Sequence, residues 1–242
     1  MIMQQDAELI IVMPIYNEEA SLRHVLQSWL DELDRLGIRT VIYAINDGSR
    51  DKTADVLQDF RVREPNRIVV IDKQNSGHGR SCRFGYDLAC ETKVEWVLQI
   101  DSDGQCDPRY FAAFWEARES ADCVFGSRAT YGASLSRHII SKACTALTGL
   151  ITRESLVDAN SPYRLMRRSV LQRALHLVPE DFEVQNVALT VALKRDKRNC
   201  FARIPISFPA RQAGNNSMNI PKIVRMGFRM LLDLKRVGRP RK

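Results

Sequence analysis

The sequence predicts a single α/β domain in which a mostly parallel central sheet is covered by helices on both faces. Short apolar runs at residues 9–13, 40–45, 67–71, 96–100 and 122–125 alternate with helical patterns. Successive positions of these runs are apolar, which is typical of strands buried between two layers of helices. A hydrophobic share of 45% is enough to fill a core of this kind.

The clearest predicted helix lies between the first two strands. The apolar positions of this helix recur on one face, at Leu22, Val25, Leu26, Trp29, Leu30, Leu33 and Leu36. Gly37 ends the helix. A second helix is expected after Asp107, which can cap it, with Pro108 in the first helical position.

The second half of the chain is less regular. It predicts an amphipathic helix at residues 134–151, a turn-rich stretch at 158–168 and a helix at 182–193. A strand follows at 200–208, with Pro205 at a sheet edge or in a bulge. No linker interrupts the pattern, so we expect one domain over residues 1–219 and a separate basic segment over 220–242.

Composition predicts a cytoplasmic protein. Residues 1–8 are polar and acidic, and no run approaches the ~20 apolar residues that span a bilayer, so neither a leader nor a transmembrane helix is expected. The six cysteines form no CxxC pair, which favours buried, reduced thiols.

The basic segment at residues 220–242 carries eight basic residues and one acidic residue, and therefore accounts for the whole net charge of +7. Its polar positions form one narrow helical stripe, at Lys222, Arg225, Arg229, Asp233 and Arg236. A basic amphipathic helix lies on anionic membrane surfaces, which predicts a peripheral protein at the inner face of the membrane. A helix docked on the domain is the alternative. Nucleic acid is not expected as a partner, because the rest of the chain is neutral and no aromatic platform interrupts the basic residues.

Three polar clusters follow predicted strands directly, at residues 14–18, 46–49 and 101–105. A single cluster of this kind is more often a capped loop. Parallel sheets bind their ligands beyond the carboxyl ends of the strands, so three clusters at such ends predict a ligand site.

Asp101 and Asp103 predict a metal ion in this site. Residues two apart in extended backbone point to the same side, and two carboxylates there repel each other unless a cation lies between them. Hard oxygen ligands select Mg²⁺ or Mn²⁺, whose coordination is completed by water and phosphate oxygens. Such an ion would neutralise charge on a diphosphate leaving group.

These motifs closely resemble those of the family 2 glycosyltransferases, which have the GT-A fold. The resemblance rests on residues 11–18, 46–49, 77–80 and 101–105 and runs from about residue 9 to 218. It implies a metal-dependent enzyme that uses a nucleotide-diphosphate sugar. His78, in the glycine-containing motif 77–80, is expected near the donor. The resemblance also implies that Asp101, Asp103 and Gln105 hold the metal and diphosphate, and that the nucleoside is held by Pro14, Tyr16, Glu18 and Asp47. Asn46 departs from the family, which commonly has an acidic residue there.

A narrower resemblance is to the dolichyl-phosphate mannose synthase branch, which attaches hexoses to polyprenyl phosphates. It is carried by residues 126–128, 136–137, 158–164 and 204–206, with Arg211 and Gly214. Pro162 departs from the branch, which usually has glycine there. The resemblance implies an inverting transfer from a UDP- or GDP-sugar, with the acceptor and donor phosphates gripped by Arg128, Arg137, Ser141 and Arg211. Guanidinium groups suit this task because they bind phosphate oxygens in pairs and remain charged.

Two alternatives remain open at this point. Transfer to a sugar hydroxyl of a lipid-linked glycan would need a general base, for which Glu180 and Asp181 are the candidates. A non-catalytic nucleotide-sugar-binding protein would fit the same fold, although it should have lost one aspartate of the metal pair.

Overall fold

The computed structural model describes residues 6–131, 149, 160–180, 182, 184–208 and 237, with residues 128–131 and 208 described through their backbone. Within these residues one sheet of seven strands has the order β3-β2-β1-β4-β6-β5-β7. The strands are β1 Leu9–Ile15, β2 Thr40–Asn46, β3 Ile68–Asp72, β4 Trp96–Gln99, β5 Cys123–Tyr131, β6 Arg164–Arg167 and β7 Phe201–Phe208.

The sheet is mostly parallel, as predicted. Strands β1 to β4 run parallel to one another, and β5 runs parallel to β7. Pro205 lies in the edge strand β7, where a residue without an N–H is tolerated.

Strand β6 corrects the prediction of a turn-rich stretch at residues 158–168. It lies between β4 and β5 and is antiparallel to both. Its four residues begin and end with arginines, Arg164 and Arg167, so that no apolar run marks it in the sequence. The strand forms because both of its neighbours pair with it. This position in the sheet leaves Arg164 completely buried.

Six α-helices cover the sheet in the part of the chain described. They are α1 Leu22–Leu36, α2 Thr53–Arg63, α3 His78–Cys90, α4 Phe111–Ala117, α5 Arg168–Leu175 and α6 Gln185–Arg195. Helix α1 ends as predicted at Gly37, whose φ of 66° suits a residue without a side chain. Asp107 caps a single 3-10 turn, Pro108–Tyr110, before α4. None of the described helices is long and apolar enough to cross a membrane.

Two cores confirm that helices cover both faces of the sheet. Along β1, Ile10 and Val12 face a core that contains residues of α3, α5 and α6, whereas Leu9, Ile11 and Met13 face a core that contains residues of α1, α2 and α4. Alternation of this kind follows from the two-residue period of a strand.

Val237 is the described residue of the basic segment, and it is buried in the first core. Its carbonyl accepts a hydrogen bond from the Arg195 guanidinium at the end of α6. At this point the basic segment contacts the domain, as the docked alternative requires. The predicted helix at residues 134–151 and the remainder of 220–242 lie outside the described residues, apart from the isolated Gly149.

The cysteines follow the prediction with one exception. Of those described, Cys82, Cys90, Cys106 and Cys123 are buried free thiols, while Cys200 is a free thiol exposed to solvent.

Candidate active site

The three predicted polar clusters meet at one edge of the sheet. Strand β1 lies between β2 and β4, so the carboxyl ends of these three parallel strands are adjacent. The loops that follow are also tied to β1 by hydrogen bonds. The Asp47 N–H donates to the Ile15 carbonyl over 2.9 Å, and the Ser102 hydroxyl donates to the Pro14 carbonyl over 3.0 Å.

The loop after β1 is fastened to the loop before α2. Asn17, with a φ of 54°, donates from its N–H to the Ser49 hydroxyl over 3.1 Å, and the Glu18 N–H donates to the Thr53 hydroxyl over 2.8 Å. Tyr16 between β1 and these contacts remains 44% exposed. Its ring is therefore accessible at the sheet edge.

Asp47 holds the loop that leads into α3. Its buried carboxylate pairs with the Lys73 ammonium and accepts hydrogen bonds of 2.9 Å from the N–H groups of Ser76 and Gly77. Burial opposes ionisation, but Lys73 and these amides outweigh it, so the pKa of Asp47 lies below its usual value. The prediction that Asp47 holds the nucleoside stays a prediction, and the structure adds this internal role.

The hydrogen bonds of Asn46 explain why this position departs from the family pattern: its side chain donates one hydrogen bond and accepts another. Its Nδ2 donates to Asp72 Oδ1 over 2.8 Å, and its Oδ1 accepts from the Ser49 N–H over 3.1 Å. An ionised aspartate at position 46 could only accept. The amide is therefore matched to its neighbour at the end of β3.

Asp101 and Asp103 follow β4 and are oriented by hydrogen bonds. Asp101 Oδ1 accepts from Gln99 Nε2 over 3.0 Å, and Asp103 Oδ1 accepts from the Gln105 N–H over 3.1 Å. The Asp103 residue is 4% exposed, whereas 29% of the Asp101 side chain is exposed. The pair therefore lies at the boundary between the core and the open edge of the sheet.

This pair fits a Mg²⁺ or Mn²⁺ ion that shares its coordination with a ligand. Within the residues described, no group of three or more His, Cys, Asp or Glu side chains is arranged to hold a metal. Magnesium sites are often built from one or two carboxylates, with substrate phosphates and water completing the octahedron. Two held carboxylates of Asp101 and Asp103 are a donor set of that kind.

His78 adjoins the carboxylate pair, and its expected place near the donor stays a prediction. Its Nε2 lies 3.6 Å from Asp101 Oδ1 and 3.5 Å from the Cys82 sulfur. The Cys82 sulfur and the carboxylates of Asp101 and Asp103 raise the pKa of His78, while desolvation opposes them.

A buried polar group beneath the site was missed in the sequence. It comprises Gln99 of β4, Tyr86 of α3, Arg164 of β6 and Asn186 of α6, all buried. One signal was present, because Gln99 is a lone amide within the apolar run 96–100, and a buried amide must find hydrogen-bond partners.

The predicted phosphate-binding group is not brought together by the described residues. Arg128 has its backbone in β5, paired with Ile206 of β7. Arg137, Ser141 and Arg211 lie outside the described part, as does the candidate base Asp181. Their roles stay predictions.

Comparison with known proteins agrees with this geometry. Residues 10–175 match the family described as glycosyl transferase family 2. The chain is 26% identical over 230 residues to undecaprenyl-phosphate 4-deoxy-4-formamido-L-arabinose transferase of Edwardsiella ictaluri, covering 93% of this chain and 67% of that protein. It is 24% identical to polyprenol monophosphomannose synthase of Mycolicibacterium smegmatis, covering 94% of this chain and 89% of that protein.

The fold agrees with solved structures. Glucosyl-3-phosphoglycerate synthase from Mycobacterium tuberculosis, in complex with Mn²⁺, UDP and phosphoglyceric acid, matches with a TM-score of 0.68 and 17% identity, covering 98% of this chain and 81% of that chain. The fold is therefore GT-A, as the resemblance implied, and the family match and the named sugar transferases among the relatives support an enzyme rather than the non-catalytic alternative. From its matched residues and from the site at the ends of β1, β2 and β4, this chain belongs to glycosyl transferase family 2 and is a sugar-transferring enzyme.

Proposed function

We propose that this enzyme transfers a hexose from a UDP- or GDP-sugar to a polyprenyl phosphate, with inversion at the anomeric carbon and with Mg²⁺ or Mn²⁺. The observation that carries the proposal is the oriented pair Asp101 and Asp103, which lies at the end of β4 beside the loop after β1, with the loop after β2 one strand further along the same edge. The acceptor class is supported by relatives whose names specify undecaprenyl phosphate and polyprenol monophosphate. The metal and a uridine nucleotide are supported by the similar fold that contains Mn²⁺ and UDP.

At the donor end, Asp101 and Asp103, with Gln105, would hold the ion and the diphosphate. When bound, the ion supplies positive charge against the charge that develops on the leaving diphosphate. Tyr16 offers an exposed ring on which a base can stack, with Pro14 and Glu18 beside it in the chain. Asp47 holds the 73–77 loop in a fixed conformation next to this edge.

At the acceptor end, a phosphate nucleophile needs no strong general base because it is already an anion. One of its oxygens attacks the anomeric carbon, the bond from that carbon to the diphosphate breaks, and the nucleoside diphosphate leaves. A single displacement of this kind inverts the anomeric carbon. The phosphates would be gripped by a group that suits bidentate contacts, namely Arg128, Arg137, Ser141 and Arg211.

The basic segment at residues 220–242 would bring the enzyme to the inner face of the membrane. A polyprenyl phosphate is confined to that surface, so a cationic segment concentrates enzyme and acceptor in one layer. Burial of Val237 attaches the segment to the domain at one point, which is compatible with cations that face lipid elsewhere along it.

The test is a product assay with the full chain, a panel of UDP- and GDP-sugars and a short polyprenyl phosphate. We expect a glycosyl phospholipid, detected by mass spectrometry, in the presence of Mn²⁺ and not with Asp103→Asn. Sugar hydroxyls serve as competing acceptors in the same panel. Product on hydroxyls alone would contradict the proposal and favour a mechanism in which Glu180 or Asp181 acts as base.

A further inference from the structure

Gln99 is a fully buried amide in an otherwise apolar strand, and its side chain joins Asp101 on one side to Asn186 and Tyr86 on the other. Its Nε2 donates to Asp101 Oδ1 over 3.0 Å. Its Oε1 accepts from Asn186 Nδ2 over 3.1 Å and faces the Tyr86 hydroxyl at 3.4 Å. Burial of an amide destabilises the fold unless the amide is hydrogen-bonded. Here one of its hydrogen bonds goes to a carboxylate of the candidate site.

The hydrogen bonds among Tyr86, Asn186, Gln99 and Asp101 form a series in which each side chain donates to the next. The Tyr86 hydroxyl donates to Asn186 Oδ1 over 3.1 Å, Asn186 donates to Gln99, and Gln99 donates to Asp101. Burial raises the pKa of Tyr86 well above its usual value, so its hydroxyl keeps the proton that starts this series. Because the carboxylate at the end can only accept, each amide has one orientation that satisfies both its neighbours.

Arg164 holds the backbone of Asn186, a middle member of the series. It donates to the Asn186 carbonyl over 3.1 Å and to the Ser161 carbonyl over 2.6 Å, and its guanidinium lies 4.8 Å from the centre of the Phe125 ring. Elements β4, β6, α3 and α6 therefore all contribute to the position of one side chain, Gln99. Rigid support of this kind is what a metal ligand needs in order to keep its oxygen at a defined place.

We propose that Gln99 is a positioning residue for Asp101, held in its orientation by Asn186, and that it thereby sets the affinity of the site for its divalent ion. The proposal rests on the proposed function, since it needs Asp101 and Asp103 to bind the ion. Loss of a hydrogen-bond partner behind a metal ligand typically costs 10–100-fold in metal affinity, and we expect about 10-fold for Gln99→Leu.

The experiment measures Mn²⁺ affinity without turnover. Free Mn²⁺ is followed by electron paramagnetic resonance as it is added to full-length protein with saturating UDP, or GDP if the wild type prefers it. We expect Gln99→Leu to bind about 10-fold more weakly than wild type, and Asn186→Leu to be intermediate. The control is Thr40→Val, which removes a buried hydroxyl that donates to the Ile38 carbonyl over 3.1 Å at the start of β2, the end of that strand opposite to the site. It should lower the melting temperature and leave Mn²⁺ affinity unchanged.

The outcomes separate this inference from the proposed function. Wild-type affinity in Gln99→Leu, or an equal loss of affinity in Thr40→Val, would overturn the positioning role while the metal site stands. If Gln99→Leu does not fold, Asn186→Leu decides, and wild-type affinity in it overturns the inference. If wild type binds no Mn²⁺ with either nucleotide, the metal site itself is wrong, and both ideas fall.

Discussion

The side-chain amide of Asn46 donates a 2.8 Å hydrogen bond to the carboxylate of Asp72, across the ends of the parallel strands β2 and β3. The same side chain accepts from the Ser49 N–H and so supports the loop after β2. An amide at position 46 can make both bonds. The acid that is common in the family at this position could not donate to Asp72.

Asn46→Asp should therefore destabilise the protein although it restores the common family residue. Two carboxylates in contact repel each other, and loss of this partly buried hydrogen bond to a charged group costs about 1–2 kcal/mol. Urea unfolding at pH 7 measures the change. The matched variant is Asn46→Asp with Asp72→Asn, which reverses the donor and acceptor and should recover most of the loss. Equal instability of the single and double variants would contradict the explanation.

Acid should remove the stabilisation that Asp47 provides. The pKa of its carboxylate is lowered in the folded state from a value of 3.8, so the folded protein binds fewer protons there than the unfolded chain. The contribution is thus complete above about pH 5 and is lost as the pH falls through the folded pKa, below 4. Urea unfolding from pH 7 to pH 3 should show a smaller pH dependence for Asp47→Asn than for wild type. An unchanged dependence would exclude Asp47 as its source.

Removal of Lys73 should be more damaging than removal of an exposed lysine. Lys73→Met leaves the buried Asp47 carboxylate without its cation, and breaking a buried pair costs about 3 kcal/mol. The expected loss in urea unfolding at pH 7 is of that order, with a higher KM for the donor because the 73–77 loop is released. Lys52→Met, at the start of α2, is the exposed control and should change stability by less than about 0.5 kcal/mol.

Activity should require a divalent ion held by the aspartate pair. Excess chelator should abolish turnover and Mn²⁺ or Mg²⁺ should restore it, while Asp103→Asn should lose at least ~100-fold in kcat/KM. Asp107→Asn is the matched control, because Asp107 caps the following 3-10 turn and asparagine caps equally well. Full turnover in chelator would refute the metal requirement.

Arg128→Ala and Arg137→Ala should impair formation of lipid product far more than donor affinity if these arginines bind the acceptor phosphate. Isothermal calorimetry gives donor affinity, and product formation is followed in parallel. Arg23→Ala serves as the control, since Arg23 makes an exposed ion pair with Asp59 on α2. Equal losses of donor binding and turnover would assign the two arginines to the donor or to the fold.

The basic segment should bind anionic vesicles at low salt. Replacement of Lys222, Arg225 and Arg229 by Gln should weaken the free energy of vesicle binding by roughly 3 kcal/mol, about 1 kcal/mol for each cation. Co-sedimentation with the vesicles measures this binding. This triple variant retains Val237, whereas truncation after Asn219 would also remove a buried contact of the core. Unchanged binding of the triple variant, or no binding by wild type, would leave the segment as a docked helix.

The parts of the fold that depend on local pattern could be predicted from sequence. Apolar runs predict strands β1 to β4, helical periodicity predicts α1, and Gly37 predicts where that helix ends. Strand β6 was missed, because its stability comes from its neighbours in the sheet rather than from its own four residues.

The candidate site divides in the same way. Its polar clusters could be predicted because each follows a strand directly, and parallel strands bring such ends together. The bonds from Asp47 to Lys73 and from Asn186 to Gln99 join residues far apart in the chain, at separations of 26 and 87 positions. A local sequence pattern cannot indicate a contact between residues so far apart. The residues that support the site are therefore identified only from the three-dimensional structure.

Asn186 belongs to α6, the last helix described, while Asp101, which it is proposed to support through Gln99, lies about eighty residues earlier. During synthesis the first four strands leave the ribosome well before α6, and N-terminal segments begin to fold first. A nascent chain can therefore complete the sheet edge that carries the aspartates while Asp101 still lacks its final support. On the proposal that Gln99 positions Asp101, the capacity to bind a divalent ion tightly should arise only after α6 docks, so the site should be complete only late in folding of the chain.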